Sequence, residues 1–416
     1  MSTRILLVGV VESNRQRGQK MEALDELAAL TKTSGGYVVE RLIQIRPRPD
    51  RATLIGKGKA QEIRDICHRY DIQLVIFDDE LNPTQLRNLE EVIGVRVIDR
   101  TALILDIFAL HARTAEAKVQ VELAQLEYIK TRLTGLGVEL SRLGGGIGTR
   151  GPGETKLEVD RRRIEQRISA LRRRLGKINR ERTIQRKRRK NVFQLTLAGY
   201  TNSGKSTLFN RLTNSQVKVS EQMFATLDAS TRMLEWKRGV PIVITDTVGF
   251  VRNLPPQLVA SFRSTLAEIK DADMIIHIAD ASDKLVEQKI DVVNETLHEI
   301  GASDKPTILA FNKTDRVFDN FQIIRLAEHY PGAVFISALA GEGLNRLIAE
   351  VQKFLEMHLV VRTFTVPSER WDLISRIIDS GQIVSKLDLD GKCRLKIKGL
   401  PVTLARLHKQ LKSILM

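Results

Sequence analysis

The sequence predicts an α/β protein in four segments: an α/β N-terminal domain, a helical hairpin, a phosphate-loop domain and a small α+β unit at the C-terminal end. Three observations predict this. Strand-like apolar runs alternate with helix-period runs over the first 112 residues, as in a largely parallel sheet. An apolar strand at Val192–Ala198 runs into GYTNSGKS, Gly199–Ser206, the strand–loop–helix setting that a phosphate loop needs. Between them, two stretches with three-four apolar spacing flank a glycine-dense loop, the pattern of an antiparallel hairpin.

The whole chain bounds what these segments can do. Its 416 residues call for two to four domains. A net charge of +16 favours a polyanionic partner. Two distant cysteines, Cys67 and Cys393, in no ligand-like spacing, argue against a disulfide framework or zinc site and read as small core residues. The first apolar run, Ile5–Val11, is too short for a signal core and reads as a first strand. No apolar stretch reaches the roughly 18–20 residues of a membrane span. A cytoplasmic, monomeric protein is expected.

In residues 1–112, Ile5–Val10, Tyr37–Ile45, Leu74–Phe77 and Val95–Ile98 read as strands, with Met21–Leu30, Ala60–Arg69 and Pro83–Val92 as helices between them. No catalytic constellation stands out. Gly56-Lys57-Gly58-Lys59 reads as a turn rather than a phosphate contact.

Residues 113–190 form the hairpin. Val119, Leu123, Leu126, Ile129 and Leu133 mark one helix; Leu157, Ile164, Ile168, Leu171, Leu175 and Ile178 mark the other. The intervening loop, Gly135–Gly153, holds 8 of the chain's 27 glycines and cannot hold one shape alone. Arg142, Arg150, Glu154 and Lys156 interrupt it, unlike an inert Gly/Ser linker, so it reads as a functional tip. Lys156–Lys190 carries 16 Lys and Arg against 4 Asp and Glu, a net of +12. Solvated helix faces mix signs, whereas arginines on one helix suit phosphates. Arg150, Lys156, Arg161, Arg162, Arg163, Arg172, Arg173 and Arg174 are the candidates for an RNA backbone contact, since no aromatic is there to stack bases.

Residues 191–357 carry the chemistry. In Gly199, Tyr200, Thr201, Asn202, Ser203, Gly204, Lys205, Ser206 and Thr207, backbone N–H groups and a helix N-terminus converge on phosphates. Lys205 neutralises the β/γ oxygens and Ser206 ligates Mg²⁺. FATLD (Phe224, Ala225, Thr226, Leu227, Asp228) places Thr226 to reach Mg²⁺ and the γ-phosphate through a switch segment. Asp246, Thr247, Val248 and Gly249 follow the strand Pro241–Thr245; Asp246 holds Mg²⁺ through water and the Gly249 N–H faces the γ-phosphate. Asn312, Lys313, Thr314 and Asp315 follow the strand Thr307–Phe311. The Asp315 carboxylate can accept from guanine N1–H and its amino group, a pair adenine lacks. Asn312 braces the loop and contacts the base, Lys313 covers its ring, and Ser337, Ala338 and Leu339 bring the Ala338 N–H to O6. These motifs imply GTP and GDP as ligands. Where Ras-type GTPases place a water-orienting glutamine after DxxG, Phe250 stands, so slow intrinsic hydrolysis accelerated by a partner is expected.

Residues 360–416 read as βαββα: Arg362–Val366, Glu369–Asp379, a hairpin of Ile383–Leu389 and Lys392–Lys398 around Asp390-Gly391, and Val402–Leu415.

FDDELNPTQLRNLEE (Phe77–Glu91), VIDRTALILDIFALHARTAEAKVQVELAQLEY (Val97–Tyr128) and GGGIGTRGPGETKLEVDRRRI (Gly144–Ile164) resemble signatures of the HflX family of translation-associated GTPases, over about residues 1–357. The resemblance implies binding to the large ribosomal subunit and its RNA in the GTP state, splitting of stalled or idle ribosomes, often under stress, and a hairpin tip directed toward the peptidyl-transferase region. It also implies a monovalent cation, potassium, near Asn202. Two other readings are an RNA-remodelling, helicase-like NTPase, which no second phosphate loop supports, and a GTP-dependent partner of an RNA-modifying enzyme.

Overall fold

The computed structural model describes residues 2–143, 156–188, 192–214, 223–224, 230–234, 236, 240–252 and 268–415. The chain divides into two compact units. One comprises residues 1–178, 220–227 and 253–263; the other comprises 179–219, 228–252 and 264–416.

In the first unit, β1 (Arg4–Val11), β2 (Tyr37–Ile45), β3 (Leu74–Phe77) and β4 (Arg96–Asp99) form a parallel sheet in the order β2-β1-β3-β4. Leu6, Leu7 and Val8 are fully buried because helices cover both faces of such a sheet. These are α1 (Arg17–Thr33), α2 (Lys57–Tyr70), α3 (Pro83–Ile93) and α4 (Arg100–His111). Asn82 caps α3 by accepting from the Gln85 N–H, and Gly94 ends it at φ +80°. The GKGK string proves to be a helix start, not a turn: Gly56 is the N-cap and Lys57 opens α2. Helix α4 escapes the periodicity argument because Leu103, Ile104, Leu105, Ile107 and Phe108 are all buried, so no polar face marks it. Lys20 Nζ bridges Asp78 (2.9 Å) and Asp79 (2.6 Å), and Arg100 meets Asp78 at 2.9 Å, which pairs the two aspartates of FDDE inside the domain.

Helices α5 (Ala115–Leu143) and α6 (Lys156–Arg188) meet along a seam of Val119, Leu123, Ile168 and Leu171, flanked by Leu126, Ile164 and Leu175. The expected loop start is corrected: α5 continues through Gly135 and Gly137. A helical glycine costs only about 1 kcal/mol relative to alanine, which a long helix tolerates. Residues 144–155, the rest of the expected tip, lie outside the described residues. Also within this unit, the Met223 N–H donates to Thr33 Oγ1 at 3.1 Å.

In the second unit, β5 (Phe193–Gly199), β6 (Ser230–Leu234), β7 (Ile242–Asp246), β8 (Met274–Asp280), β9 (Thr307–Asn312) and β10 (Val334–Phe335) form a sheet in the order β10-β9-β8-β5-β7-β6. Only β6 runs antiparallel to its neighbour. Helices α7 (Lys205–Thr213), α8 (Val286–Glu299), α9 (Asn320–His329) and α10 (Leu344–His358) belong to it. Leu195, Leu197, Leu208, Ile276, Leu347 and Val351 lie in its core. The chain then forms a three-stranded antiparallel sheet, β11 (Val360–Pro367), β13 (Lys392–Gly399) and β12 (Gln382–Leu389) in the order β11-β13-β12. Helices α11 (Trp371–Asp379) and α12 (Pro401–Leu415) cover one face. Asp390 and Gly391 turn β12 into β13 with φ of 46° and 72°, as a two-residue hairpin turn requires. No helix among the described residues is long and apolar enough to cross a membrane.

Candidate functional site

The phosphate loop hangs between β5 and α7, at the carboxyl ends of the sheet strands. Two of its glycines are required by close approach. A Cβ on Gly199 would stand 2.3 Å from the Ile278 carbonyl, and one on Gly204 (φ +93°) 2.1 Å from Asn312 Nδ2. The α7 N-terminus therefore opens directly onto the loop, where its N–H groups suit an anion. The buried hydroxyls of Thr201 and Ser203 have no hydrogen-bond partner among the described residues, a cost that a ligand with acceptor oxygens removes.

Lys205 is 6% exposed. Its Nζ donates to the Gly199 carbonyl at 3.0 Å and the Tyr200 carbonyl at 2.7 Å. Burial lowers its pKa to about 8; Asp246 opposes that shift and Lys313 adds to it. His277 on β8 is lowered to about 4 by burial and then by Lys205, so it is neutral near pH 7. Ser206 Oγ donates to Asp246 Oδ2 at 2.7 Å. A hydroxyl and a buried carboxylate at the loop fit Mg²⁺, which takes hard oxygens and few protein ligands. No group of three or more His, Cys, Asp or Glu among the described residues could hold a metal by itself.

DTVG meets the loop closely. A Cβ on Gly249 would lie 2.8 Å from Thr201 Cα and 2.9 Å from Lys205 Nζ. Phe250 is 1% exposed. Its N–H donates to the Gly199 carbonyl at 3.1 Å and its carbonyl accepts from the Thr201 N–H at 2.7 Å. It is thus a buried strut beneath the loop. Two residues of the expected ligand set also brace the loop through their side chains. Thr247 Oγ1 donates to the Leu197 carbonyl at 2.7 Å. The Tyr200 hydroxyl accepts from the Arg252 N–H at 2.9 Å, and its ring lies 5.0 Å from the Lys289 ammonium.

At the base-recognition end, Asn312 Nδ2 donates to the Ser203 carbonyl at 2.8 Å and Oδ1 accepts from the Ala338 N–H at 2.9 Å. Asn312 therefore ties three loops together, and both its amide and the Ala338 N–H, expected on the base, are engaged within the protein. Lys313 Nζ donates to the Asn202 carbonyl (2.7 Å) and Asp280 (2.6 Å). Asp280 was not among the sequence candidates; its signal is a carboxylate closing the apolar strand MIIHIAD beside the NKTD strand. Asp315 is exposed and accepts from Ser337 Oγ at 2.5 Å. Thr207 and Thr314 are half-buried, Val248 is buried, and Leu339 is exposed. Phe224 belongs to the other unit's fold. Ala225, Thr226, Leu227 and Asp228 lie outside the described residues.

On α6, Arg161, Arg162, Arg163, Arg172, Arg173 and Arg174 are exposed. Arg172 is also an ion-pair partner of Glu127 (2.8 Å), next to the Arg167–Glu122 pair at 2.6 Å, so it reaches across the hairpin rather than standing free. Arg161 meets Glu165 at 3.4 Å and Arg163 meets Asp160 at 3.8 Å. Arg150 lies outside the described residues, as does the side chain of Lys156.

Four family models match in succession: "GTP-binding GTPase N-terminal" over residues 21–109, "GTP-binding GTPase Middle Region" over 111–189, "50S ribosome-binding GTPase" over 194–313 and "HflX C-terminal domain" over 322–414. The chain is 42% identical to the GTPase HflX of Caldanaerobacter subterraneus subsp. tengcongensis over 94% of this chain and 89% of that one. It is 41% identical to the GTPase HflX of Escherichia coli over 94% and 92%. Among solved structures, a GTP-binding protein from Sulfolobus solfataricus in complex with GDP aligns over 85% of this chain and 98% of that one, at 26% identity and a TM-score of 0.43.

Proposed function

The chain belongs to the HflX family of GTPases, and on that premise we propose that it is a GTP-controlled switch that binds the large ribosomal subunit and splits stalled or idle ribosomes. GTP hydrolysis is the family's activity; the ribosomal target is the reading that α6 supports best. The single observation that carries it is the separation of the two chemistries. One unit holds the loop of Gly199–Ser206 with Lys205, Ser206, Asp246 and Asp315, while the other begins α6, with exposed Arg161, Arg162, Arg163, Arg173 and Arg174. A row of arginines with no aromatic companion suits the sugar-phosphate backbone of folded RNA.

In this reading Lys205 leaves its two backbone carbonyls for the β/γ oxygens. Ser206 and Asp246 hold Mg²⁺, which when bound neutralises phosphate charge. Thr226 completes the γ-phosphate contact and Gly249 offers its N–H. Asn202, in left-handed backbone at φ +59°, is the candidate neighbour of a potassium ion. Because Phe250 is a buried strut and carries no polar group, the attacking water needs a partner's group, and ribosomal RNA serves as target and activator.

Co-sedimentation with isolated subunits tests the reading. The chain should pellet with the large subunit in a non-hydrolysable GTP analogue and much less in GDP. Equal binding in both states rejects the switch; no binding in either rejects the ribosomal target.

A further inference from the structure

The C-terminal sheet carries a second charged surface that neither the phosphate loop nor α6 uses. Along its central strand β13, Cys393, Leu395 and Ile397 are fully buried against Leu373, Ile374 and Ile377 of α11 and Leu404, Leu407 and Leu411 of α12. The alternate residues Lys392, Arg394 and Lys396 are exposed and Lys398 is half-buried. Strand alternation therefore puts four cations in one row on the face opposite the helices. The strand rise spaces them about 6.6 Å apart, on the scale of successive phosphates in a nucleic-acid strand.

The cross-strand register rules out a merely solvated face. A face that only dissolves the domain mixes signs, and opposite charges pair across strands. Here Pro367, Thr365 and Thr363 of β11 stand opposite Lys392, Arg394 and Lys396. On the other side stand Leu389, Leu387 and Ser385 of β12. No acid occupies any of these positions. Lys398 alone pairs with a carboxylate, Glu356, at the row's end beside α10. Among the described residues no carboxylate pairs with Lys392, Arg394 or Lys396. Three like charges held in line on a central strand repel one another unless an anion of matching repeat lies across them.

We propose that the open face of the β11-β13-β12 sheet is a second RNA-binding surface, on which Lys392, Arg394 and Lys396 bind consecutive phosphates of a sugar-phosphate backbone. No aromatic residue stands in the row or at its cross-strand positions, so the surface binds backbone and not bases. The proposal rests on the same partner class as the ribosomal reading but on a different domain, more than 200 residues beyond the α6 arginines in sequence, and either surface can fail without the other.

The test uses the full chain and a fluorescein-labelled RNA hairpin, with affinity followed through a potassium chloride titration. Replacing Lys392, Arg394 and Lys396 together by Gln should weaken binding at least tenfold at low salt and flatten the log–log salt slope by about two to three units, close to 0.7–0.9 per phosphate contact. Restoring three cations as Lys392→Arg, Arg394→Lys and Lys396→Arg should recover both. Intrinsic GTPase activity without RNA should be unchanged, which confirms the fold. An unchanged slope in the Gln variant overturns the proposal. So does lost binding to phosphatidylserine vesicles with RNA binding intact, because the surface would then be a membrane contact. A parallel variant with Arg161, Arg162 and Arg163 replaced by Gln separates the readings. If it alone loses RNA affinity, the hairpin is the contact and the sheet is not; if only the sheet variant loses affinity, the proposal stands and the α6 reading fails.

Discussion

Phe224 meets Phe108 edge-on, with ring centroids 4.6 Å apart and planes inclined at 63°. Phe224 is 3% exposed and its backbone lies at φ +58°, a left-handed conformation that costs a bulky residue about 1–2 kcal/mol. It persists because the Phe108 ring and the Met223–Thr33 hydrogen bond over-determine it. Met223 and Phe224 are thereby part of the first unit's fold. Thr226, the expected γ-phosphate contact, lies two residues beyond Phe224 in sequence.

Phe108→Ala should loosen the hold on Phe224 and weaken the first unit. Phe108 is 1% exposed, so its truncation leaves a cavity and should cost about 3–5 kcal/mol, of which the edge-on pair with Phe224 contributes about 0.5–1.5 kcal/mol. Urea unfolding of the isolated protein measures it. A variant as stable as the parent means that the ring pair holds nothing in place.

Lys205 makes nucleotide binding sensitive to pH. Its nucleotide-free pKa of about 8 lies below the ordinary lysine value of 10.5. Between these values the unfolded chain holds a proton that the folded one has lost, so this group makes the free protein more stable as pH rises from 8 toward 10.5. Bound phosphates favour the ammonium and reverse the shift. Binding GDP at pH 8.5 should therefore take up roughly 0.7 of a proton, and almost none at pH 6.5. Titration calorimetry in buffers of different ionisation enthalpy reads this number directly. Proton release at pH 8.5 contradicts the assignment.

Much of this was legible beforehand where a single period or spacing governed the structure. The β1 run, the Val119–Leu123 and Ile168–Leu171 seam, and the phosphate loop each follow from one local rule. Helix α4 did not, because its exposed side, Asp106, Ala109 and Leu110, carries one polar residue among apolar ones and so shows no period. Within the site, glycine positions were readable but side-chain partners were not: Thr247, Tyr200 and Asn312 sit inside the expected motifs yet bond to backbone or neighbouring loops. Those bonds depend on strands distant in sequence, such as Leu197 for Thr247, which no motif reports. The Phe108–Phe224 contact is hidden for the same reason, since 116 residues separate the rings.

The hairpin's stability should come from its seam and not from its ion pairs. Leu171 is 3% exposed within a small cluster, so Leu171→Ala should cost about 2 kcal/mol, the low end for a buried leucine. Glu127→Gln removes a pair whose arginine is 65% exposed, and such pairs contribute at most about 1 kcal/mol. Thermal unfolding of the two variants should separate them by several degrees. If Glu127→Gln is the more damaging, the hairpin is held by charge.

Asp315→Asn should exchange the base that the site accepts. Ser337 Oγ donates to Asp315 Oδ1 at 2.5 Å, which fixes the side chain while its other oxygen can receive guanine N1–H. An amide there presents a donor to that N1–H and loses one hydrogen bond to a charged acceptor, about 1.5–3 kcal/mol or roughly 10-fold to 150-fold in GTP affinity. Xanthine carries a carbonyl where guanine has its amino group, and the amide donor matches it. The variant should therefore prefer xanthosine triphosphate in direct competition, with hydrolysis of that nucleotide intact, because Lys205, Ser206 and Asp246 are untouched. Retained preference for GTP would place base recognition elsewhere than Asp315.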